Sequence, residues 1–162
     1  MDKELTAAAA LTLQAARHAG LTLVTVESCT GGMVSASLTA VPGSSDVVDR
    51  AFVTYTNDAK QQMVGVPSAI LATHGAVSEP VARAMAEGAL AVTKADLAVS
   101  ITGIAGPGGA TETKPVGLVH FACARRDHPT TVFHHVFSGD RGDIRHAATL
   151  QALAMLAAAA RT

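Results

Sequence analysis

Aromatic residues are scarce in this chain. Phe, Tyr and Trp make up 3% of its 162 residues, with one tyrosine and no tryptophan. That leaves few platforms on which nucleic-acid bases stack. The charge balance agrees: 12 Lys and Arg against 13 Asp and Glu give a net charge of −1, with no basic patch or tail. No nucleic-acid partner is expected. Cysteine is rarer still. Cys29 and Cys123 are not a C-x-x-C pair, which argues against a zinc ribbon or a dithiol motif. Two isolated cysteines fit a reduced, cytoplasmic protein. The seven histidines show no H-E-x-x-H spacing, so no metal is expected. No run of about 20 apolar residues is present, and no membrane span is expected. The N-terminus lacks the basic start and apolar centre of a signal peptide. There is no Walker A loop and no G-x-S-x-G elbow.

What the chain has is aliphatic. Hydrophobic residues reach 49%, so the core is built from Ala, Val, Leu, Ile and Met. Helices packed closely on a sheet, with alanines at the contacts, suit that composition. The length suits one domain over residues 1–162.

Read in order, residues 3–19 are a helix with Leu5, Ala9, Leu13 and Ala16 near one face, ended by Gly20. Leu21 to Val26 is a strand whose continuous apolar character predicts cover on both sides. A helix from Met33 to about Ala40 is broken by Pro42-Gly43. Ala51 to Tyr55 is a second strand. Asn57 is the expected N-cap of a helix reaching about Val64, with another helical turn from Ser68. Ser78 caps a helix over 79 to about 94, with Val81, Met85, Ala89 and Val92 on one side. Leu97 to Ile101 is a third strand, followed by a glycine-rich loop over 102–115. Strands at 116–125 and 131–137 form a hairpin, and a last helix runs from Asp143 to Ala160, burying Ile144, Ala148, Leu150, Leu153 and Leu156. Helices alternating with strands predict an α/β fold: a three-layer α/β/α sandwich with a mixed, mostly parallel five-stranded sheet. Ligands in such sheets bind beyond the C-terminal ends of parallel strands. The loops 27–32, 55–60 and 102–115 are expected to converge there.

The first loop, Glu27-Ser-Cys-Thr-Gly-Gly32, joins a strand to a helix. It offers hydroxyls at Ser28 and Thr30, a thiol at Cys29, and a helix N-terminus suited to an anion. It also reads as an ordinary cap and turn. Lys60 falls at N3 of the third helix, where a cation is disfavoured by about 0.3–1 kcal/mol if exposed. An exposed lysine, an anion-binding lysine and a catalytic base with a favoured neutral form all fit. Tyr55 ends a strand and reads as a core aromatic or as a partner of Ser28 or Lys60. A neutral Lys60 can take the Ser28 proton and return it to a leaving amine. Backbone N–H groups of 28–32 or 102–109, with the Thr102 hydroxyl, can receive an oxyanion. Amide hydrolysis is therefore coherent, with Cys29 as rival nucleophile. Lys114, Arg141 and Arg145 form a candidate phosphate clamp; the two arginines read equally as surface residues answered by Asp140 and Asp143.

The sequence resembles the CinA C-terminal domain family (competence/damage-inducible protein), which includes stand-alone nicotinamide-nucleotide amidases. The resemblance rests on Glu-Ser-Cys-Thr-Gly-Gly at 27–32, Val-Pro-Gly-Ser-Ser at 41–45 and Tyr-Thr-Asn-Asp-Ala-Lys at 55–60. It continues through His-Gly-Ala-Val-Ser at 74–78, Thr-Gly-Ile-Ala-Gly-Pro-Gly-Gly at 102–109, Lys-Pro-Val-Gly at 114–117, Gly-Asp-Arg at 139–141 and Arg145. These pieces span almost the whole chain. The resemblance implies a three-layer fold and deamidation of nicotinamide mononucleotide to nicotinic acid mononucleotide and ammonia, with no cofactor. It implies Ser28 as nucleophile, Lys60 as base, Tyr55 orienting the pair, and Thr102 near the oxyanion. The substrate is expected to meet Thr30, Gly31, Gly32, Asn57, Gly103, Gly106, Gly108 and Gly109, with its phosphate at Arg145 and Arg141. A non-catalytic nucleotide-binding module linked to competence or DNA damage, and an amidase for another small amide, are the alternatives. The N-terminal nucleotide-pyrophosphatase-type domain of longer relatives is not among these residues, and the segment from Ala110 to Thr113 departs from the family pattern. A homodimer is the expected assembly, from the Ala-rich last helix.

Overall fold

Alternation along the central strands decides how the layers form. In the computed structural model, which describes residues 2–162, one sheet has the order β2-β1-β3-β4-β5. Its strands are β1 (Leu23–Glu27), β2 (Val48–Val53), β3 (Leu97–Gly103), β4 (Leu118–Arg125) and β5 (Thr131–Val136). β1 pairs in parallel with β2 and β3, while β4 is antiparallel to both β3 and β5. Four of the five strands therefore point the same way and only β4 is reversed. The mixed, mostly parallel sheet is as expected.

The helices are α1 (Lys3–Ala19), α2 (Met33–Thr39), α3 (Asn57–Val64), α4 (Ser68–His74), α5 (Glu79–Val92) and α6 (Arg141–Arg161). Leu23, Leu97, Val99, Ile101, Val119, Phe121 and Cys123 pack with α1, α2 and α6. The intervening Val24, Val26, Ala98, Ala122 and Ala124 pack with α3, α4 and α5. Side chains alternate across a pleated strand, so each strand supplies both cores. On the α5 side, Ala82, Ala86 and Ala89 of the helix share one buried cluster with Ala98, Ala122 and Ala124 of the sheet. Ser100 closes that contact by donating to Ala82 O at 2.5 Å.

Several boundaries differ from expectation for local reasons. β2 begins at Val48 rather than Ala51, because Asp49 and Arg50 are tolerated on an exposed edge. β3 runs on through Gly103 and β4 begins at Leu118. α6 begins at Arg141 because Asp140 and Asp143 form a reciprocal capping box. Val92 is 52% exposed at the last turn of α5, and Leu150 is only half-buried.

Two features set the position of α3. Its N-cap is Thr56, whose hydroxyl accepts from Ala59 N, not Asn57. Lys60 is therefore one residue deeper than N3, and its own N–H donates to Thr56 O. At the other end Val64 lies on α5 at Gly88, where an added Cβ would sit 1.9 Å from Val64 O. Gly inside a helix costs roughly 1 kcal/mol relative to Ala, and here it permits that close approach.

Candidate active site

The turn after β1 is held from two sides. Ser28 N donates to Ile101 O, and Gly31 N donates to Ser28 O, both at 3.0 Å. Glu27 is fully buried. Its Oε2 accepts from Thr30 Oγ1 at 2.7 Å, Gly32 N at 2.9 Å and Val34 N at 3.1 Å. Its Oε1 accepts from Ser35 N at 2.9 Å and Thr25 Oγ1 at 3.1 Å. The donors of the first turn of α2 are thus committed to a carboxylate of the chain itself. The expected anion cradle is filled from within, and the Thr30 side chain, Gly31 and Gly32 build the turn rather than line the cleft. Across the turn, Arg145 donates from Nε to Cys29 O and from Nη2 to Thr30 O, each at 3.0 Å.

Lys60 reaches that turn from α3. It is 1% exposed, and Ser28 is 8% exposed. Its Nζ lies 2.8 Å from Thr54 O, 3.4 Å from Tyr55 O and 3.2 Å from Ser28 Oγ. Among the described residues, no Asp or Glu pairs with it. Burial pulls its pKa down from 10.5, because the low-dielectric surroundings disfavour the charged form. The geometry serves either protonation state. A charged amine donates three hydrogens to three acceptors. A neutral amine donates two to the carbonyls and turns its lone pair to the serine hydroxyl, which then donates. Moving one proton between Ser28 and Lys60 requires no rearrangement of these partners.

Cys29 lines the same cleft as Ser28. Burial pushes its thiol up to about 11, and the protonated thiol is a poor nucleophile.

Ser28, Cys29, Tyr55, Lys60, Ala76, Val77, Thr102, Gly103, Ala105 and Arg141 line one cavity of about 210 Å³. The expected convergence of three loops is therefore present, and the 75–78 loop adds a fourth wall that sequence reading missed. Thr102 is buried, and its Oγ1 donates to Ala76 O at 2.9 Å. It holds the fourth wall in place, and its proton is not directed at the cleft. Tyr55 is not a core aromatic: it is 59% exposed. Its carbonyl meets Lys60, whereas its phenol oxygen accepts from Arg141 Nη2 at 3.3 Å. Arg141 Nη1 also donates to Gly106 O at 2.8 Å, so Arg141 ties the mouth of the cleft to the glycine loop.

A second cavity of about 720 Å³ shares Ala105 and Arg141 with the first and is continued by Pro107, Val116, Gly139, Asp140 and Gly142. The Gly106–Pro107 peptide in this loop is cis. Gly103 and Gly106 make room for Val119 and Val116, while Gly108 and Gly109 are exposed. Asn57 is exposed on the first turn of α3, outside the cleft. Arg145 also lies outside it, because its donors face the back of the turn. Lys114 donates to His74 O at 2.6 Å and braces the fourth wall.

The three-layer α/β/α domain thus places a buried serine–lysine pair beyond its parallel strands. The chain belongs to the CinA family: the model of the CinA C-terminal domain matches residues 5–160. It is similar to the nicotinamide-nucleotide amidohydrolase PncC of Shigella flexneri, at 50% identity over 155 residues, covering 96% of this chain and 94% of that protein. A CinA-like protein of Mycobacterium sp. (strain JLS) is 55% identical over 143 residues, 88% of this chain, but the match spans only 34% of that longer relative. Among solved structures, the competence/damage inducible protein CihA from Agrobacterium tumefaciens superposes with a TM-score of 0.95 at 44% identity, covering 100% of this chain and 98% of that one.

Proposed function

We propose that this domain is an amidase that hydrolyses the carboxamide of nicotinamide mononucleotide, releasing nicotinic acid mononucleotide and ammonia. The observation that carries the chemistry is the buried Lys60 Nζ 3.2 Å from Ser28 Oγ, with no carboxylate among the described residues paired to the amine. The substrate class follows the name of the Shigella flexneri relative, similar over nearly its whole length.

Neutral Lys60 accepts the Ser28 proton as Oγ attacks the amide carbon. The N–H groups of Cys29 and Thr30 bond no other residue among those described, and they flank the nucleophile. They are the proposed donors to the tetrahedral oxyanion. Protonated Lys60 then gives its proton to the departing nitrogen, and ammonia leaves an acyl ester on Ser28. Water, deprotonated by the regenerated amine, attacks that ester, and the protonated amine returns the proton to the departing Ser28 oxygen. The pyridine sits in the smaller cavity, and the ribose phosphate extends into the larger one. There Arg141 is the cation offered to the phosphate, beside the Asp140 carboxylate that caps α6. Arg145, committed to the turn, is not the phosphate ligand in this reading.

The test is ammonia release from nicotinamide mononucleotide by the purified protein, with and without a chelator. Equal amounts of ammonia and nicotinic acid mononucleotide, unaffected by chelator, are expected. Nucleotide binding without product supports the binding-module alternative, and ammonia from other amides alone supports a different substrate. In the same assay Cys29→Ser retains turnover within about threefold, since a thiol raised to about 11 stays protonated. A hundredfold loss returns the nucleophile to Cys29.

A homodimer belongs to this reading, with its contact at β5 rather than α6. The apolar stripe of α6 is buried, whereas Phe133 and Val136 on the edge strand are 41% and 50% exposed. β5 also lacks the charged residues that protect an edge. Sedimentation at micromolar concentration is expected to show a dimer, and Phe133→Lys a monomer. A wild type that remains monomeric removes this assembly.

A further inference from the structure

We propose that Glu27 is a positioning residue for the reaction, setting the geometry of the nucleophile turn from beneath; this rests on the amidase reading above. Glu27 is fully buried and accepts five hydrogen bonds. No Lys, Arg or His pairs with it among the described residues. A buried carboxylate without a cation is costly, and its donors must compensate. Capping a short helix does not require that arrangement, because Ser, Thr, Asp or Asn at the N-cap suffices. The N-cap of α2 is Gly32, with no side-chain cap bond.

What Glu27 does, and an ordinary cap does not, is join both ends of the nucleophile turn. Its backbone is fixed in the sheet between Val53 and Ile101. Its side chain holds Thr30 and the residues that open α2. Ser28 and Cys29 lie between these fixed points. On the opposite side Arg145 holds the carbonyls of Cys29 and Thr30. In a planar trans peptide the carbonyl and the following N–H point in opposite directions. The bond from Arg145 to Cys29 O therefore also sets the direction of Thr30 N–H. The bond from Gly31 N to Ser28 O sets that of Cys29 N–H in the same way. Ser28 Oγ and the two proposed oxyanion donors are thus the groups of the turn left for substrate, in orientations fixed by the two clamps.

Misplacing a reacting group by about 1 Å costs on the order of a hundredfold in rate. Removing an oxyanion donor costs about 100- to 1000-fold. Glu27→Gln keeps the shape but sets an amide NH2 against Ser35 N–H, so the clamp is broken without a cavity. Its kcat is expected to fall about 100-fold with KM within about threefold, and the midpoint of its pH–rate curve is expected to match the wild type. Thr30→Val, which removes one donor to Oε2, is the milder variant should Glu27→Gln fail to fold. It is expected to lower kcat about fivefold to tenfold, again with KM unchanged. A folded Glu27→Gln protein with wild-type kcat overturns the proposal, even if its melting temperature drops. So does a parallel loss in kcat and binding, which marks general loosening of the cleft. Ser28→Ala assayed alongside separates the two levels: if it is inactive, the amidase reading stands whatever Glu27 does, and if it is fully active that reading fails first.

Discussion

Replacing Lys60 with methionine abolishes turnover while leaving a folded protein whose stability relative to wild type changes with pH. The rate loss is expected to be on the order of 1000-fold or more, since general base catalysis contributes roughly 100- to 10,000-fold and the leaving amine also loses its proton donor. The stability effect follows from linkage. Burial holds the Lys60 pKa below its ordinary 10.5, so the unfolded chain binds the proton more tightly than the folded one. Between the depressed pKa and 10.5, stability rises with pH. It is complete above 10.5 and is lost as pH falls through the depressed value. Urea unfolding followed from pH 7 up to pH 10.5 reads this directly: wild type gains on Lys60→Met as the pH rises towards 10.5. The rate carries the same sign, because only the neutral amine can take the serine proton. Wild-type kcat/KM therefore increases with pH and levels off above the Lys60 pKa. A profile that falls as the pH rises, or a Lys60→Met protein that still releases ammonia at a wild-type rate, removes lysine as the base.

Ser28→Ala carries the other large effect. Loss of a serine nucleophile that acts as a unit with its base lowers kcat by about 10,000-fold or more. Binding of the nucleotide is expected to change by no more than a few-fold, because Ser28 is 8% exposed and contributes one hydroxyl to a cleft with many walls. Calorimetric titration of nicotinamide mononucleotide against the variant, beside the ammonia assay, separates the two quantities. Retained turnover excludes Ser28. Loss of binding together with rate makes Ser28 a contact for the ground state instead.

The fold was readable wherever periodicity is strong. β1 and β3 are apolar runs covered on both faces, and the stripe of α1 at Leu5, Ala9, Leu13 and Ala16 is buried as its spacing predicts. The site was readable as a set of converging loops, but less so as side chains. Tyr55 is the clearest case. Alternation along 52–55 places Phe52 and Thr54 inward and Val53 and Tyr55 outward; the expectation of a buried phenol considered its oxygen and not its parity. Arg141 and Arg145 are one helical turn apart, yet one reaches the cleft mouth and the other the back of the turn, which depends on where α6 begins. Thr56 and Asn57 are both acceptable caps, and sequence does not choose between them. The role of Glu27 was the least visible. A carboxylate at a strand end is ordinary until the chain folds back and brings the N–H groups of Gly32, Val34 and Ser35 to it.

The contact between Gly88 and Val64 ties the position of Lys60 to α5. The helix that carries Lys60 rests on a notch one missing side chain deep. Alanine at position 88 is expected to lift that helix and draw the amine away from the serine, because its Cβ would sit 1.9 Å from Val64 O. A random-mutagenesis screen for inactive clones should therefore recover position 88 together with 28 and 60. A map of such clones drawn only by distance from the substrate would misfile it as remote.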